Sequence, residues 1–170
     1  MNRKLRIALP AVAASLAAGA LFAPTALATP NHSGTAVASQ ASNREWRNER
    51  AAIGVLNIAF NEHDAKKAAE KYISARTYIQ HNPNIGNGRD AFVAGITSYI
   101  KQYPDISLDF KRTITQDNLV VVESLSKFNA ADRGTVEVDT FRFDVNGKIV
   151  EHWDALQPVA AQSANGNPQV

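Results

Sequence analysis

Gly134-Thr-Val-Glu-Val-Asp-Thr-Phe-Arg-Phe-Asp-Val-Asn-Gly-Lys-Ile-Val-Glu-His-Trp-Asp-Ala-Leu-Gln-Pro158 is the stretch whose reading decides the fold. Two runs rich in Val, Ile, Phe and Thr flank Asn146-Gly147. Such a pair between such runs signals a hairpin, because both residues tolerate positive φ. The pattern predicts two long antiparallel strands, about Thr135 to Val145 and Lys148 to Gln157. Side chains alternate faces along a strand. On the first strand Val136, Val138, Thr140 and Arg142 share one face, and Glu137, Asp139, Phe141 and Phe143 the other. On the second, Ile149, Glu151, Trp153 and Ala155 oppose Val150, His152, Asp154 and Leu156. A face that mixes Phe, Val and Leu with Asp and His suits the wall of an apolar pocket holding a few polar groups. The plainer alternative is an open sheet with solvated polar residues, since charged side chains are mostly exposed.

Upstream of this hairpin the period is also two. Ile106 to Thr115 reads as a strand, Gln116-Asp117-Asn118 as a turn, Leu119 to Phe128 as a strand and Asn129 to Gly134 as another turn. Further back the period becomes helical. Ser42 or Asn43 is placed to cap a first helix, with Trp46, Ile53, Leu56 and Phe60 as its apolar stripe. Asp64 is placed to cap a short second helix through Tyr72, and a third runs from about Arg89 to Tyr103, ended by Pro104. Between them Thr77-Tyr78-Ile79-Gln80-His81-Asn82-Pro83 reads as a short strand ending at a proline. Helices first and four consecutive antiparallel strands after them predict an α+β domain, a curled sheet wrapped as a cone on about three N-terminal helices.

The chain opens with Arg3, Lys4 and Arg6, an Ala- and Leu-rich run from Ile7 to about Phe22, Pro24, and the small-x-small site Ala26-Leu27-Ala28. That is the form of a cleaved secretory signal over residues 1–28, which predicts a secreted or periplasmic protein with no stable membrane anchor. Residues 29–41 read as a flexible leader, 42–159 as the folded domain and 160–170 as a loose C-terminal tail. Of 18 basic residues three lie in the signal, with no acidic residue beside them. The remaining 15 basic and 16 acidic residues leave a net charge of −1 on the mature chain, so the basic balance of the precursor is no argument for nucleic-acid binding. No cysteine is present, which removes disulfides, zinc–thiolate sites and a Cys nucleophile from consideration.

Tyr-Ile-Gln-His-Asn-Pro (78–83), Gly-Lys-Ile-Val-Glu-His-Trp-Asp (147–154), Gln157-Pro158 and the Ser163–Asn167 ending together resemble the SnoaL-like branch of the nuclear transport factor 2-like superfamily, in particular its predicted aldol-condensation group. The resemblance covers about Arg44 to Asn167. It implies a cone-shaped α+β barrel, often a homodimer through its sheet, and cofactor-free catalysis in which a pocket carboxylate serves as acid and base in an intramolecular aldol closure. Ketosteroid isomerases share this fold. Their Val-Asp-x-x-Arg-Phe strand carries an aspartic acid that helps hold an enolate oxygen, and Asp139 occupies the matching place. Their base position is Asn82 here, which cannot be a base. The SnoaL carboxylate on the last strand is best matched by Asp154.

Chemistry beside a carbonyl needs a base for the α-proton and a donor for the oxygen that becomes negative. The catalytic candidates are Asp154, His152 and Asp139, which a tight hairpin brings within a few ladder positions of one another. Tyr78, His81, Asn82, Phe141 and Leu156 are the candidate substrate-binding residues. His152 and Asp154 with His81 also make a two-histidine, one-carboxylate set of the kind that holds a metal, at a spacing common by chance in strands, and no metal is expected. Neither a Gly-x-Ser-x-Gly elbow nor a Gly-rich phosphate loop is present. Two functions compete: an exported lyase, isomerase or cyclase acting on a small apolar or carbonyl-containing compound, and a module of the same fold that binds a small molecule or a protein without turnover. Neither calls for nucleic acid.

Overall fold

The computed structural model describes residues 32–170. The predicted signal segment, residues 1–28, lies outside the described residues. The elements are α1 (His32–Leu56), α2 (Ala65–Tyr72), β1 (Ile79–Gln80), α3 (Arg89–Gln102), β2 (Ser107–Gln116), β3 (Leu119–Lys127), β4 (Thr135–Phe143) and β5 (Ile149–Pro158). Helix α1 runs directly into a π-helical turn, Asn57–Asn61.

Helix α1 begins at His32 rather than at Ser42 or Asn43, so residues 32–41 are helical and not a leader. The physical reason lies in the sequence between Gly34 and Gly54, which holds neither proline nor glycine to stop a helix. Nor does Trp46 belong to the buried stripe, being 61% exposed. The face of α1 turned inward carries Asn48, Ala51, Ala52, Val55 and Leu56 instead. Its alanines let the helix lie close on β2 and β3, the strands it packs against. The second helix starts as the sequence predicts: the Asp64 carboxylate accepts the Lys67 N–H at 2.8 Å, taking up one of the donors a helix start leaves without a partner. In α3 the inward residues are Phe92 and Ile96.

The strands form one sheet in the order β1-β5-β4-β3-β2. Strands β2 to β5 are antiparallel, but β1 runs parallel to β5, pairing Ile79 with Glu151 and Gln80 with His152. The sheet is therefore mixed, and it curls around the helices without closing into a barrel.

The β4–β5 connection departs from a two-residue turn. The Asp144 N–H donates to the Lys148 carbonyl at 2.9 Å and the Gly147 N–H to the Asp144 carbonyl at 3.0 Å. Gly147 takes φ +77°, whereas Asn146 stays out of the left-handed region. This is a three-residue loop closed by a left-handed glycine. Asp144 stabilises it further, because one carboxylate oxygen accepts the N–H groups of Asn146 and Lys148, both at 2.9 Å. Beyond the loop the register shifts: Phe143 pairs with Ile149 but Arg142 with Glu151, leaving Val150 as the extra residue. The bulge moves Ile149 to the inner face, where it is fully buried, so it does not share a face with Glu151 as strict alternation predicts. Past the bulge the pairing is regular, with Phe141 opposite His152, Asp139 opposite Asp154 and Glu137 opposite Leu156.

Residues 160–170 form neither helix nor strand, yet the end folds back. Gln169 accepts the Ala160 N–H at 3.1 Å and donates to the Pro158 carbonyl at 3.2 Å. Among the described residues no helix is long and apolar enough to cross a membrane.

Candidate active site

The inner face of β4 and β5 meets α1, α3 and the 78–85 segment around a cavity of about 260 Å³. That is near the lower end of the roughly 300–1,000 Å³ usual for small-molecule sites. The helical side is apolar, with Leu56, Phe60, Phe92 and Ile96. The other carries Gln80, Asn82, Glu137, Asp139, His152 and Asp154. Strand alternation puts Glu137, Asp139 and Phe141 on this face from β4, and His152, Asp154 and Leu156 from β5.

At the centre His152 Nε2 lies 2.9 Å from Asp139 Oδ1, and both residues are buried. The other ring nitrogen, Nδ1, lies 2.9 Å from Gln80 Oε1. That oxygen also accepts the backbone N–H groups of His81 at 2.9 Å and Asn82 at 3.0 Å. Two backbone donors require an oxygen at this place, so the orientation of the Gln80 amide is fixed. His152 Nδ1 must then carry a proton and donate it to Gln80. What remains for Nε2 is either to accept a proton from a neutral Asp139 carboxyl or to donate one to its carboxylate. One proton is thus shared between Asp139 and His152. Gln80 completes the chain by donating from Nε2 to the Tyr78 hydroxyl at 3.0 Å, which leaves the Tyr78 O–H proton free for another acceptor.

Asp139 Oδ2 is buried and has no partner among the described residues. Burial raises the Asp139 pKa, with Asp154 opposite it adding to the rise, and the bond and charge of His152 offset part of the effect. Asp154 is held by the Asn82 side-chain amide, whose own oxygen accepts the Asn84 N–H at 2.9 Å. Glu137 is pushed up to about 7, chiefly by burial and then by Asp139, against a hydrogen bond from Ser126. It sits beside Asp139 on the same face and is a group that sequence reasoning passed over. The signal was present: Glu137 shares the alternation of Asp139 and Phe141. Burial also raises the Tyr78 hydroxyl pKa and pushes that of Tyr99, at the cavity wall, up to about 12.

Seven of the eight residues singled out from sequence line the cavity: Tyr78, Asn82, Asp139, Phe141, His152, Asp154 and Leu156, the last of them 51% exposed at its rim. His81 does not. Its ring stacks on Trp153 at 4.7 Å and its Nε2 meets Glu151 at 3.0 Å, on the far side of the sheet. Because β1 pairs parallel with β5, Gln80 rather than His81 faces His152. Glu151 also takes the Arg142 guanidinium at 2.8 Å, which closes a cluster outside the cavity. His81 therefore cannot join His152 and Asp154 in a two-histidine, one-carboxylate set, and no group of three His, Asp or Glu among the described residues has the arrangement of a metal centre.

Residues 53–152 match the family model described as the SnoaL-like domain. No curated protein matches the sequence significantly. Among solved structures the chain is similar to a candidate polyketide cyclase from Acidithiobacillus ferrooxidans, with 14% identity and a TM-score of 0.56 over 65% of this chain and 87% of that one. A candidate isomerase of the SnoaL-like family from Agrobacterium tumefaciens gives 14% identity and 0.54 over 68% and 98%. IdmH, a candidate polyketide cyclase from Streptomyces antibioticus, gives 16% and 0.51 over 64% and 91%. At these identities the likeness establishes the fold.

Proposed function

Because this chain belongs to the SnoaL-like domain family, we propose that it is a cofactor-independent isomerase or cyclase that forms an enolate from a small carbonyl compound. The observation that carries the reading is Asp139 Oδ2: a buried carboxylate oxygen with no partner, in an apolar cavity, on a residue whose other oxygen shares a proton with His152. The reaction begins when the α-carbon–hydrogen bond breaks and its proton passes to Asp139 Oδ2. The bond's electron pair moves into the carbonyl and leaves an enolate. The Asp139–His152 pair then carries two protons and one positive charge beside the new anion, an attraction strengthened by the low dielectric of the site. The Tyr78 O–H, whose proton the Gln80 contact leaves free, is the donor this reading assigns to the enolate oxygen. Return of the proton to another carbon gives an isomerase. Attack of the enolate carbon on a second carbonyl of the same molecule, with the proton delivered to the new alkoxide, gives a cyclase. The signal pattern of residues 1–28 supports export as part of this reading.

The test is exchange of α-hydrogens for solvent deuterium in a panel of small aryl and cyclic ketones, followed by NMR. The wild-type protein is expected to accelerate exchange in at least one of them. Asp154→Asn is expected to slow that exchange by about tenfold or more, because it removes the charge that raises the proton affinity of Asp139. No exchange above the buffer rate across the panel contradicts the proposal and favours a binding module.

A further inference from the structure

Three carboxyl groups face one largely apolar cavity, and among the described residues that line it there is no lysine or arginine. Among the described residues Asp154 is bonded only to the Asn82 amide, and Glu137 only to the Ser126 hydroxyl. Neither makes an ion pair among the described residues, although exposed carboxylates elsewhere do. Asp139, 4% exposed, has one bond to His152 and its Oδ2 unpartnered. The other titratable groups facing them are His152 from β5, Tyr78 from the segment before β1 and Tyr99 from α3, while α1 presents Val55 and Leu56 and the π-helical turn presents Phe60. Unpaired carboxylates taken out of water are costly, and a counter-ion that shares their site offsets the cost. The walls are aromatic as well, and ring faces attract cations. We propose that the ligand supplies the missing positive charge: the cavity takes a small compound that carries a protonated amine on an apolar ring or chain, the ammonium lying between Asp154 and Glu137 and leaving Asp139 Oδ2 free. The inference rests on the same site as the enolate reading and narrows its substrate to a carbonyl compound that also bears an amine.

Proton linkage gives the proposal a second readout. A cation beside Glu137 favours its carboxylate, so binding near pH 7 releases protons; a neutral or anionic ligand favours the neutral carboxyl and takes protons up. The experiment uses three probes of matched size, 2-phenylethylamine, 2-phenylethanol and phenylacetate, titrated into the purified protein at pH 7. Affinity is read by NMR shifts of cavity residues, and proton release by calorimetry in two buffers of different ionisation enthalpy. The amine is expected to bind at least about tenfold more tightly than the alcohol, with net proton release, and phenylacetate to bind most weakly. In Asp154→Asn and Glu137→Gln the amine's advantage is expected to shrink severalfold while alcohol binding holds. Alcohol binding as tight as the amine, phenylacetate binding better than either, proton uptake with the amine, or no binding by any probe to the folded protein overturns the proposal. Because the exchange test of the enolate reading uses neutral ketones, a failure here leaves that result standing and identifies which claim is wrong.

Discussion

Glu137→Gln is expected to make the protein more stable at pH 8, by on the order of 2–3 kcal/mol, and to leave it nearly unchanged at pH 4. The carboxyl of Glu137 is pushed from an ordinary value of 4.5 up to about 7, chiefly by burial. A raised carboxyl pKa means that the folded protein holds the proton more tightly than the unfolded chain does. The contribution is therefore fully present below about pH 4.5. It falls as the unfolded chain ionises, and it is lost once pH passes the folded value near 7. Each pH unit in that window is worth about 1.4 kcal/mol, which sets the size of the effect. Glutamine keeps the shape and the Ser126 contact but has no charge to desolvate. The measurement is thermal unfolding of both proteins between pH 4 and 9. The wild-type midpoint is expected to fall between pH 5 and 8 relative to the variant, by about 5–10 °C at the alkaline end. Parallel curves across that range contradict the desolvated placement of Glu137.

The second large effect is on chemistry. Asp139→Asn is expected to slow α-hydrogen exchange by about 10²–10⁴-fold, the usual contribution of a positioned general base. The fold is expected to persist, because the side-chain amide still donates a hydrogen bond to His152 Nε2. With Nδ1 held by Gln80, that nitrogen remains free to accept it. The variant also removes a buried ionisable group, so its stability at pH 7 is expected to match or exceed that of the wild type. Loss of activity together with loss of fold would assign Asp139 a packing role. Retained exchange in a folded variant would move the base to Asp154.

Much of this site was legible because a strand has a period of two. Once Asn146-Gly147 marked a hairpin, Asp139, Phe141, His152 and Asp154 fell on one face, and the three-residue loop together with the bulge at Val150 sets Asp139 opposite Asp154. Where the reading failed, a local irregularity or a depth was at issue. The bulge at Val150 reverses the face of Ile149, and a one-residue insertion has no sequence signal beyond the pattern it breaks. His81 faces outward against the expectation from sequence, because a two-residue strand offers too little alternation to fix its parity. Its parallel pairing with β5 decides the matter in favour of Gln80. Glu137 stood on the correct face, but only the packing above it shows that this position is dry. Trp46 misled the reading of α1 because bulk suggested burial where close approach to the sheet required alanine. The family motifs, by contrast, were sufficient for the cone fold, and the match over residues 53–152 agrees with them.

The account stands on one proton between Asp139 and His152, placed by Gln80. Long-range ¹H–¹⁵N NMR of the histidine rings at pH 7.5, in the wild type and in Asp139→Asn, tests it most directly. The wild-type spectrum is expected to show His152 Nδ1 protonated and Nε2 between the protonated and unprotonated limits. In Asp139→Asn, Nδ1 is expected to keep its proton while Nε2 becomes a plain acceptor. A His152 ring with Nδ1 bare, or a spectrum that Asp139→Asn leaves unchanged, contradicts the shared proton and with it the acid–base reading of the cavity.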